Sequence, residues 1–391
     1  MHSAFARLSA SVFGLALLAG CASNQAEEQR AEQARIAAIQ AAALAAPPTV
    51  SLNSNVIQEA AVYLDFTRDM ATLRGGFSDA GSIQNALRRG AGYDARQVSR
   101  GLVAYAAVLA LQSPEFVAGV RANARDRASR NALVDRIVGN PASASSLPGA
   151  DAAAGLIIAT LEADVRELRD AADSVENDAY AIQADGRRDW ARVAVPDRES
   201  RLNAVRDLSR PSFAPAAEAA RLSAAALSGS GLGVTADRRR APPYPQSVEN
   251  ALALAALALL DGAGENARAN TDALMYDRAS LDCFESSKLN LFQCLAASRP
   301  SYEDMFCLGR HVVRDLGQCA RGAALPAGQV TVGAPTQSRV DRAAQIAPEP
   351  VEIGRPAVAP PAAATPSPAP ATNTLATPTQ RLNAPAQVPQ S

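Results

Sequence analysis

Apolar residues recur at the three- and four-residue spacing of an α-helix along most of the chain after residue 53. The first run extends from Val56 to Met70, and the glycine pair Gly75-Gly76 follows it. We find no run of alternating apolar and polar residues of the kind that predicts a half-buried strand. Further helices are predicted over 79–89, over 94–112, from Ser113-Pro114 until Asn140-Pro141, and over 199–208, 216–227 and 247–260. The pattern predicts an all-α protein built as a helical bundle.

The longest predicted helix runs from Gly149 to Val193 and is expected to be the central helix of the bundle. About forty residues at 1.5 Å each would make a rod roughly 60 Å long. Its apolar residues follow one another in steps of three and four, which is a heptad seam: Ile158, Leu161, Val165, Leu168, Ala172, Val175, Ala179 and Ile182. The seam either packs on neighbouring helices of the same bundle or forms a coiled-coil surface for an envelope protein or a second copy. The first interpretation is favoured, because the short helices nearby need a surface to pack on.

The first apolar run of the chain, Leu8 to Ala19, follows Arg7 and ends in Leu17-Leu18-Ala19-Gly20-Cys21. At about 12 residues it is shorter than the roughly 20 that a membrane-spanning helix needs. This ending resembles the lipobox of bacterial lipoprotein precursors, in which the signal peptide is cleaved before a cysteine that receives fatty acyl chains such as palmitate. The resemblance implies a signal peptide over 1–20 and a lipid on Cys21 that binds the protein to a membrane.

In Gram-negative lipoproteins an Asp after the cysteine retains the protein at the inner membrane. The residue after Cys21 is Ala22, so the resemblance implies the periplasmic face of the outer membrane.

Composition divides the rest of the chain. Residues 21–50 are polar and then alanine-rich, and we interpret them as the lipidated cysteine and a stalk before a body over 51–260. From Ala323 onward the chain contains 13 of its 25 prolines and no aromatic residue. This composition predicts a disordered Pro/Ala-rich tail over 323–391.

Four cysteines within residues 261–322 are the most specific feature of the body: Cys283, Cys294, Cys307 and Cys319. Export to an oxidising compartment favours disulfides over a zinc site, which would use close cysteine pairs. The first two cysteines are 11 residues apart and share a helix face, whereas the last two are 12 apart and match about a third of a turn worse. Ser301 followed by Asp304 predicts the start of a second helix. A hairpin folded about Pro300 then pairs Cys294 with Cys307 and Cys283 with Cys319.

The predicted hairpin resembles the twin-cysteine helical hairpins of the coiled-coil-helix–coiled-coil-helix type. In that class two antiparallel helices are cross-linked twice, with shorter spacings between the cysteines than in this chain. The resemblance covers about 40 residues and is one of geometry, so it implies no function.

Composition also excludes several functions. The formal net charge of −1 gives no basic face for nucleic acid. Among 38 basic residues only Lys288 is a lysine, and the cluster Arg238-Arg239-Arg240 lies beside Pro242-Pro243, where a solvated loop is expected. The glycines at 229, 231 and 233 lack the strand and helix context of a nucleotide-binding loop. We therefore expect no nucleic-acid or nucleotide partner.

Candidate catalytic chemistry is sparse. His311 is the only histidine after Cys21, and we interpret it as a partly exposed hairpin residue. No nucleophile-elbow pattern, unpaired body thiol or cluster of metal ligands accompanies it. We predict no catalytic residue, no metal and no cofactor, although 39 acidic residues leave a carboxylate pair open.

The leading hypothesis is therefore a lipid-anchored cell-envelope protein that acts as a non-catalytic structural adaptor or assembly factor in the periplasm. One alternative is a helical binding module for an apolar or peptidic ligand. Another is a carboxylate-based cell-wall hydrolase, which would bring paired acids together in a cleft.

Overall fold

All regular secondary structure in the described part of the chain is helical. The computed structural model describes residues 29–36, 49–236 and 238–325. Cys21, most of the predicted stalk and residues 326–391 of the predicted tail lie outside the described residues. The α-helices are α1 (29–36), α2 (Ser54–Ala71), α3 (Ala80–Ala91), α4 (Ala95–Ala110), α5 (Pro114–Ala122), α6 (Arg127–Gly139), α7 (Ala150–Ala184), α8 (Asp189–Arg192), α9 (Arg198–Leu208), α10 (Ala216–Ser228), α11 (Gln246–Leu259), α12 (Arg268–Leu274), α13 (Arg278–Ala297), α14 (Ser301–Leu308) and α15 (Asp315–Ala324).

Shorter elements complete this description. Three 3₁₀ segments (Pro141–Ser146, Gly186–Arg188 and Glu265–Ala267) and a π-helical segment (Gly309–Arg314) join the α-helices. Two isolated β-bridges, Leu52 with Ala263 and Ala194 with Pro300, are the extended pairings found among the described residues. The prediction of an all-α protein is confirmed.

Polar residues set the starts of the early helices at the predicted places. The side chains of Asn53, Asp79 and Asp94 each accept a hydrogen bond from the backbone N–H three residues later, at 2.8–3.2 Å. These bonds satisfy donors that the first turn of a helix leaves unpaired. The helix predicted over 247–260 is α11, which begins one residue earlier, after Pro245, and Ser247 within it donates its hydroxyl hydrogen to Asp277.

Two helices, α4 and α11, form the centre of the core. α4 packs against α2, α7, α11 and α13. In α11 the residues from Ala251 to Leu259 are all buried, as expected for a helix that is apolar on every side. Leu291 of α13 and Leu316 of α15 belong to the same apolar core, so the C-terminal hairpin and the bundle bury their side chains together.

No single helix among the described residues is both long enough and apolar enough to span a bilayer. α4 and α5 together pass that test by length and composition, but they are bent by 83° relative to each other.

The long helix α7 is shorter than predicted. It begins after Gly149 as expected but ends at Ala184, nine residues before Val193, so its 35 residues span roughly 52 Å. Asp185 adopts an extended conformation, and its carboxylate accepts a hydrogen bond from the backbone N–H of Arg187. That bond starts the following 3₁₀ segment and replaces continued helix.

The heptad seam of α7 faces the interior of the molecule. Ile158, Leu161, Leu168, Val175 and Ile182 have no exposed area, and Val165 is half-buried against the same core. The seam packs mainly on α2, α4 and the second arm of the cysteine hairpin. A seam that binds another protein or a second copy would have to be exposed. In this structure the chain's own helices cover the seam residues.

Close approach of α2 to α4 depends on Gly101. A Cβ at this position would overlap the carbonyl oxygen of Glu59 and lie 2.6 Å from Cβ of Tyr63. The backbones of the two helices therefore meet at a distance that no other residue allows.

Replacing Gly101 with alanine tests this packing. We expect Gly101→Ala to lower the free energy of unfolding by about 2–3 kcal/mol, because the added methyl group forces the helices apart. Chemical denaturation measures the change. Gly139→Ala is the matched control, because a Cβ at this α6 position meets no atom within 4 Å. The control should be neutral or slightly stabilising, and equal effects of the two substitutions would contradict the close approach.

Candidate functional site

The four body cysteines form the predicted nested disulfides. Cys283 is bonded to Cys319 and Cys294 to Cys307, with Cα atoms 5.6 and 5.7 Å apart. α13 supplies the first cysteine of each pair, and α14 and α15 supply the second. The hairpin and its pairing are confirmed.

The π-helical segment resolves the mismatch between the two cysteine spacings. In an α-helix, 11 residues turn about 20° past three full turns, whereas 12 residues turn about 120° past them. A π-turn accommodates one extra residue within a helix, and Gly309–Arg314 lies between Cys307 and Cys319. The 12-residue spacing therefore acquires the angular register of 11, so both cysteines face α13.

The same extra residue sets the contact between the hairpin and α7. A Cβ at Gly309 would lie 3.2 Å from Cγ1 of Val175, and one at Gly317 would lie 3.3 Å from Cβ of Leu168. The spacing of eight residues from Gly309 to Gly317 in the hairpin therefore matches the spacing of seven residues from Leu168 to Val175 in α7. The π-helical segment absorbs the difference of one.

Arg314 closes this contact at the end of the π-helical segment. Its Nε donates to Glu176 and its Nη2 donates to Asp173, both at 2.6 Å. The hydrogen bond to Glu176, then the one to Asp173, raises the pKa of Arg314 above its usual value against the effect of burial. The two hydrogen bonds of Arg314 thus tie the hairpin to the polar edge of α7.

Asp304 is buried at the tip of the hairpin, where the sequence predicts a capping residue. α14 begins at Ser301 as expected, but Asp304 has no exposed area and accepts from Arg201 of α9 at 2.5 Å. Ser298 and Gln84 donate to the same carboxylate at 2.6 and 2.7 Å. One carboxylate therefore joins α9, the hairpin turn and α3. A charge buried in this way persists only because its hydrogen bonds are satisfied.

Lys288, the single lysine, is buried on α13, the other arm of the hairpin. Its Nζ donates to the carbonyl oxygen of Ala91 at 2.8 Å and lies 3.4 Å from the centre of the Tyr93 ring. Burial lowers the pKa of Lys288 to about 7, and the negative charge of Asp94 opposes that effect in part. The sequence marks this lysine only by its rarity.

The arginine cluster at 238–240 is a loop, as expected, but it is bound to the bundle. Arg239 pairs with Glu115 of α5 and, at 3.2 Å, with Asp151 of α7. A Cβ at Gly155 would overlap the carbonyl oxygen of Arg238, so the loop backbone lies directly on α7. Two acidic residues of the same chain therefore already balance part of the positive charge of the arginine cluster.

His311 lies on the π-helical segment, and its side chain is 23% exposed. Its Nδ1 lies 3.4 Å from the carboxylate of Asp315, one turn further along the hairpin. This position agrees with the interpretation of His311 as a partly exposed hairpin residue.

A cleft of about 210 Å³ lies between α2, the connection of α3 to α4, and residues 212–214. We call it the aspartate cleft, because Asp65 and Asp69 line it. Gln97 exchanges two hydrogen bonds of 2.9 Å with the backbone of Ser212, which hold the far wall in place. Phe213 on that wall is 90% exposed.

The two aspartates stand one turn apart on α2, so they share a face of the helix. Burial, followed by the charges of Asp69 and Glu218, raises the pKa of Asp65. Asp69 instead accepts hydrogen bonds from Nε and Nη2 of Arg89 on its two carboxylate oxygens. Glycoside hydrolysis needs a second carboxylate that can act as base or nucleophile. Because Arg89 engages that carboxylate on both oxygens, the cleft supports binding better than hydrolysis.

Sequence reasoning missed the aspartate cleft and both buried charges, Asp304 and Lys288. The i, i+4 spacing of Asp65 and Asp69 is visible in the sequence, but their relation to Phe213 depends on tertiary contacts. No family model, curated protein or solved structure matches the chain.

Deleting one residue tests the role of the π-helical segment. Deleting exposed Arg310 shortens the spacing from Cys307 to Cys319 to the 11 residues found in α13, and we expect both disulfides to form in a regular α-helix. Deleting exposed Leu289 of α13 is the control, because a spacing of 10 turns Cys283 away from Cys294. Peptide mapping without reduction should find the nested pairs only after the first deletion. Loss of both pairs on deleting Arg310 would contradict the register argument.

The pH dependence of stability tests the buried lysine. The pKa of Lys288 is about 7 in the folded chain and 10.5 for an ordinary lysine, so the unfolded chain binds more protons between these values. Its contribution to the free energy of unfolding should therefore rise by about 3 kcal/mol from pH 7 to 9.5. Lys288→Met should remove this rise. Exposed Arg278→Met is the control and should retain it, and parallel pH profiles for wild type and Lys288→Met would contradict the assignment.

Proposed function

We propose that the chain is a lipid-anchored protein of the bacterial cell envelope that acts as a non-catalytic adaptor or assembly factor. The lipid on Cys21 would hold it at the periplasmic face of the outer membrane. The observation that carries the proposal is the pair of disulfides in the C-terminal hairpin. Disulfides persist in oxidising compartments such as the periplasm, which is where a lipobox signal peptide would deliver the chain.

The described body has the properties that an adaptor needs. A continuous apolar core joins the bundle to the hairpin, the two disulfides cross-link the arms of the hairpin, and the buried carboxylate of Asp304 ties it to α9. The surface carries clefts with polar and aromatic walls, of which the aspartate cleft is one. A body of this kind can hold a bound component in a fixed orientation relative to its own helices.

Metabolic labelling with a palmitate analogue tests the anchor. We expect the wild type to be labelled and to sediment with outer membranes, whereas Cys21→Ser should lose both the label and the membrane association. A Cys283→Ser/Cys319→Ser double variant is the matched control, because it removes two sulfur atoms from the hairpin and leaves Cys21 in place. Equal labelling of wild type and Cys21→Ser would contradict the proposal.

The adaptor role can be tested in the same cells. A photo-crosslinking residue at Phe213, which is 90% exposed, should link the protein to one envelope component reproducibly. The link should weaken in Cys21→Ser, because the variant is no longer held at the membrane. A second photo-crosslinking residue is placed at exposed Tyr180. The absence of crosslinks from both positions, in a protein that stays monomeric, would contradict the adaptor role.

A further inference from the structure

A second cleft, of about 300 Å³, lies where α11, α12 and the start of α13 meet. We call it the amide pocket, because the side-chain amides of Gln246, Asn250 and Asn270 line it. Its volume reaches the lower end of the range typical of small-ligand sites. Three separate segments of the chain, 138–141, 246–250 and 270–278, build its walls, so the pocket depends on tertiary packing and not on one turn.

Hydrogen bonds inside the wall hold two of the amides in fixed orientations. Asn250 is 96% buried and accepts from Gln246 at 2.8 Å, while its own N–H group reaches the carbonyl oxygen of Tyr276 only at 3.4 Å. This arrangement directs the carbonyl oxygen of the Gln246 amide away from Asn250. Asn270 makes no side-chain hydrogen bond to another described residue. The pocket therefore offers both donors and acceptors that the protein itself does not use fully.

The charged groups at the pocket are already engaged. Asp277 is buried and accepts from the hydroxyl of Ser247 and, at 3.1 Å, from the backbone N–H of Ser280. Arg278 at the rim pairs with Asp282 at 3.4 Å. Asp277 is satisfied within the wall, and Arg278 is 78% exposed at the rim, so the amides supply the unused hydrogen-bonding groups inside the pocket and match a neutral ligand.

An aromatic ring completes the rim of the pocket. Tyr276 is 49% exposed beside the amides and presents an apolar surface with a hydroxyl at its end. Ligands that suit such a wall combine an apolar face with hydroxyl or amide groups at the edge, as sugar rings do. We propose that the amide pocket binds a neutral, polyhydroxylated glycan. The pocket is remote in sequence from Cys21, so this inference goes beyond the proposed function and does not depend on the lipid anchor.

Calorimetric titration of the full-length protein, in a detergent without sugar headgroups, tests the inference. The probes are a tetrasaccharide of N-acetylglucosamine, a tetrasaccharide of glucose and a tetra-alanine peptide. We expect at least one saccharide to bind. Asn270→Ala should weaken that binding about fivefold to tenfold through the loss of hydrogen bonds, and Tyr276→Ala should weaken it about tenfold.

Matched controls separate the pocket from general surface effects. Asn131→Ala removes an exposed amide from α6, and Tyr180→Ala removes an exposed ring from α7, so both should bind as the wild type does. Asn270 and Tyr276 lie outside the apolar core, and unchanged melting temperatures would confirm that their variants fold. Cys21→Ser should keep its saccharide affinity, which distinguishes failure of the anchor from failure of the pocket.

Three outcomes would overturn the inference. One is that neither tetrasaccharide binds at millimolar concentration. Another is that a saccharide binds equally well to the wild type, Asn270→Ala and Tyr276→Ala, which would place its site elsewhere. The third is that tetra-alanine binds more tightly than both saccharides and loses affinity in Asn270→Ala, which would assign the pocket to peptides.

Discussion

The register of the second hairpin arm is the constraint on which the C-terminal hairpin and its packing on α7 depend. This arm must place two cysteines opposite α13 and two glycines opposite α7, and it has one residue more than either partner. It spans 12 residues between Cys307 and Cys319 against 11 on α13, and eight between Gly309 and Gly317 against seven on α7. Because both spans contain the π-helical segment, one local change in helical geometry corrects both mismatches.

Covalent and polar contacts have different tasks in holding the hairpin. The disulfides join the hairpin only to itself, whereas buried polar groups join it to the bundle. Asp304 connects the tip to α3 and α9, and Lys288 connects α13 to the end of α3. Asp304 is compensated by three hydrogen-bond donors, and Lys288 by one carbonyl oxygen and one aromatic ring, so removing a partner would leave a costly unpaired group. Within the shared apolar core, a few specific polar contacts therefore help to set the orientation of the hairpin.

The sequence predicts well what depends on neighbouring residues. The helix starts at Asn53, Asp79 and Asp94, the all-round apolar α11 and the cysteine pairing all follow from spacing along the chain. It predicts poorly what depends on distant residues. Asp304 satisfies a capping pattern, but Arg201, about a hundred residues earlier, takes its carboxylate. The aspartate cleft likewise joins α2 to Phe213, and no local pattern records that contact. The seam of α7 satisfies a coiled-coil pattern equally well whether its partner is another chain or its own hairpin.

The helix α12 links the entry of the chain into the body with the amide pocket. Asn53 donates to Thr271 of α12 at 2.8 Å, and Asn55 donates to Asp272 at 3.1 Å. Asn270, the preceding residue, faces the pocket. The segment before Asn53 also reaches α11, because the backbone N–H of Ser51 donates to the carbonyl oxygen of Ala258 at 2.9 Å. Because α11 and α12 also line the amide pocket, a displacement of residues 51–53 would move two of its walls, and a ligand that fixes those walls would resist the displacement.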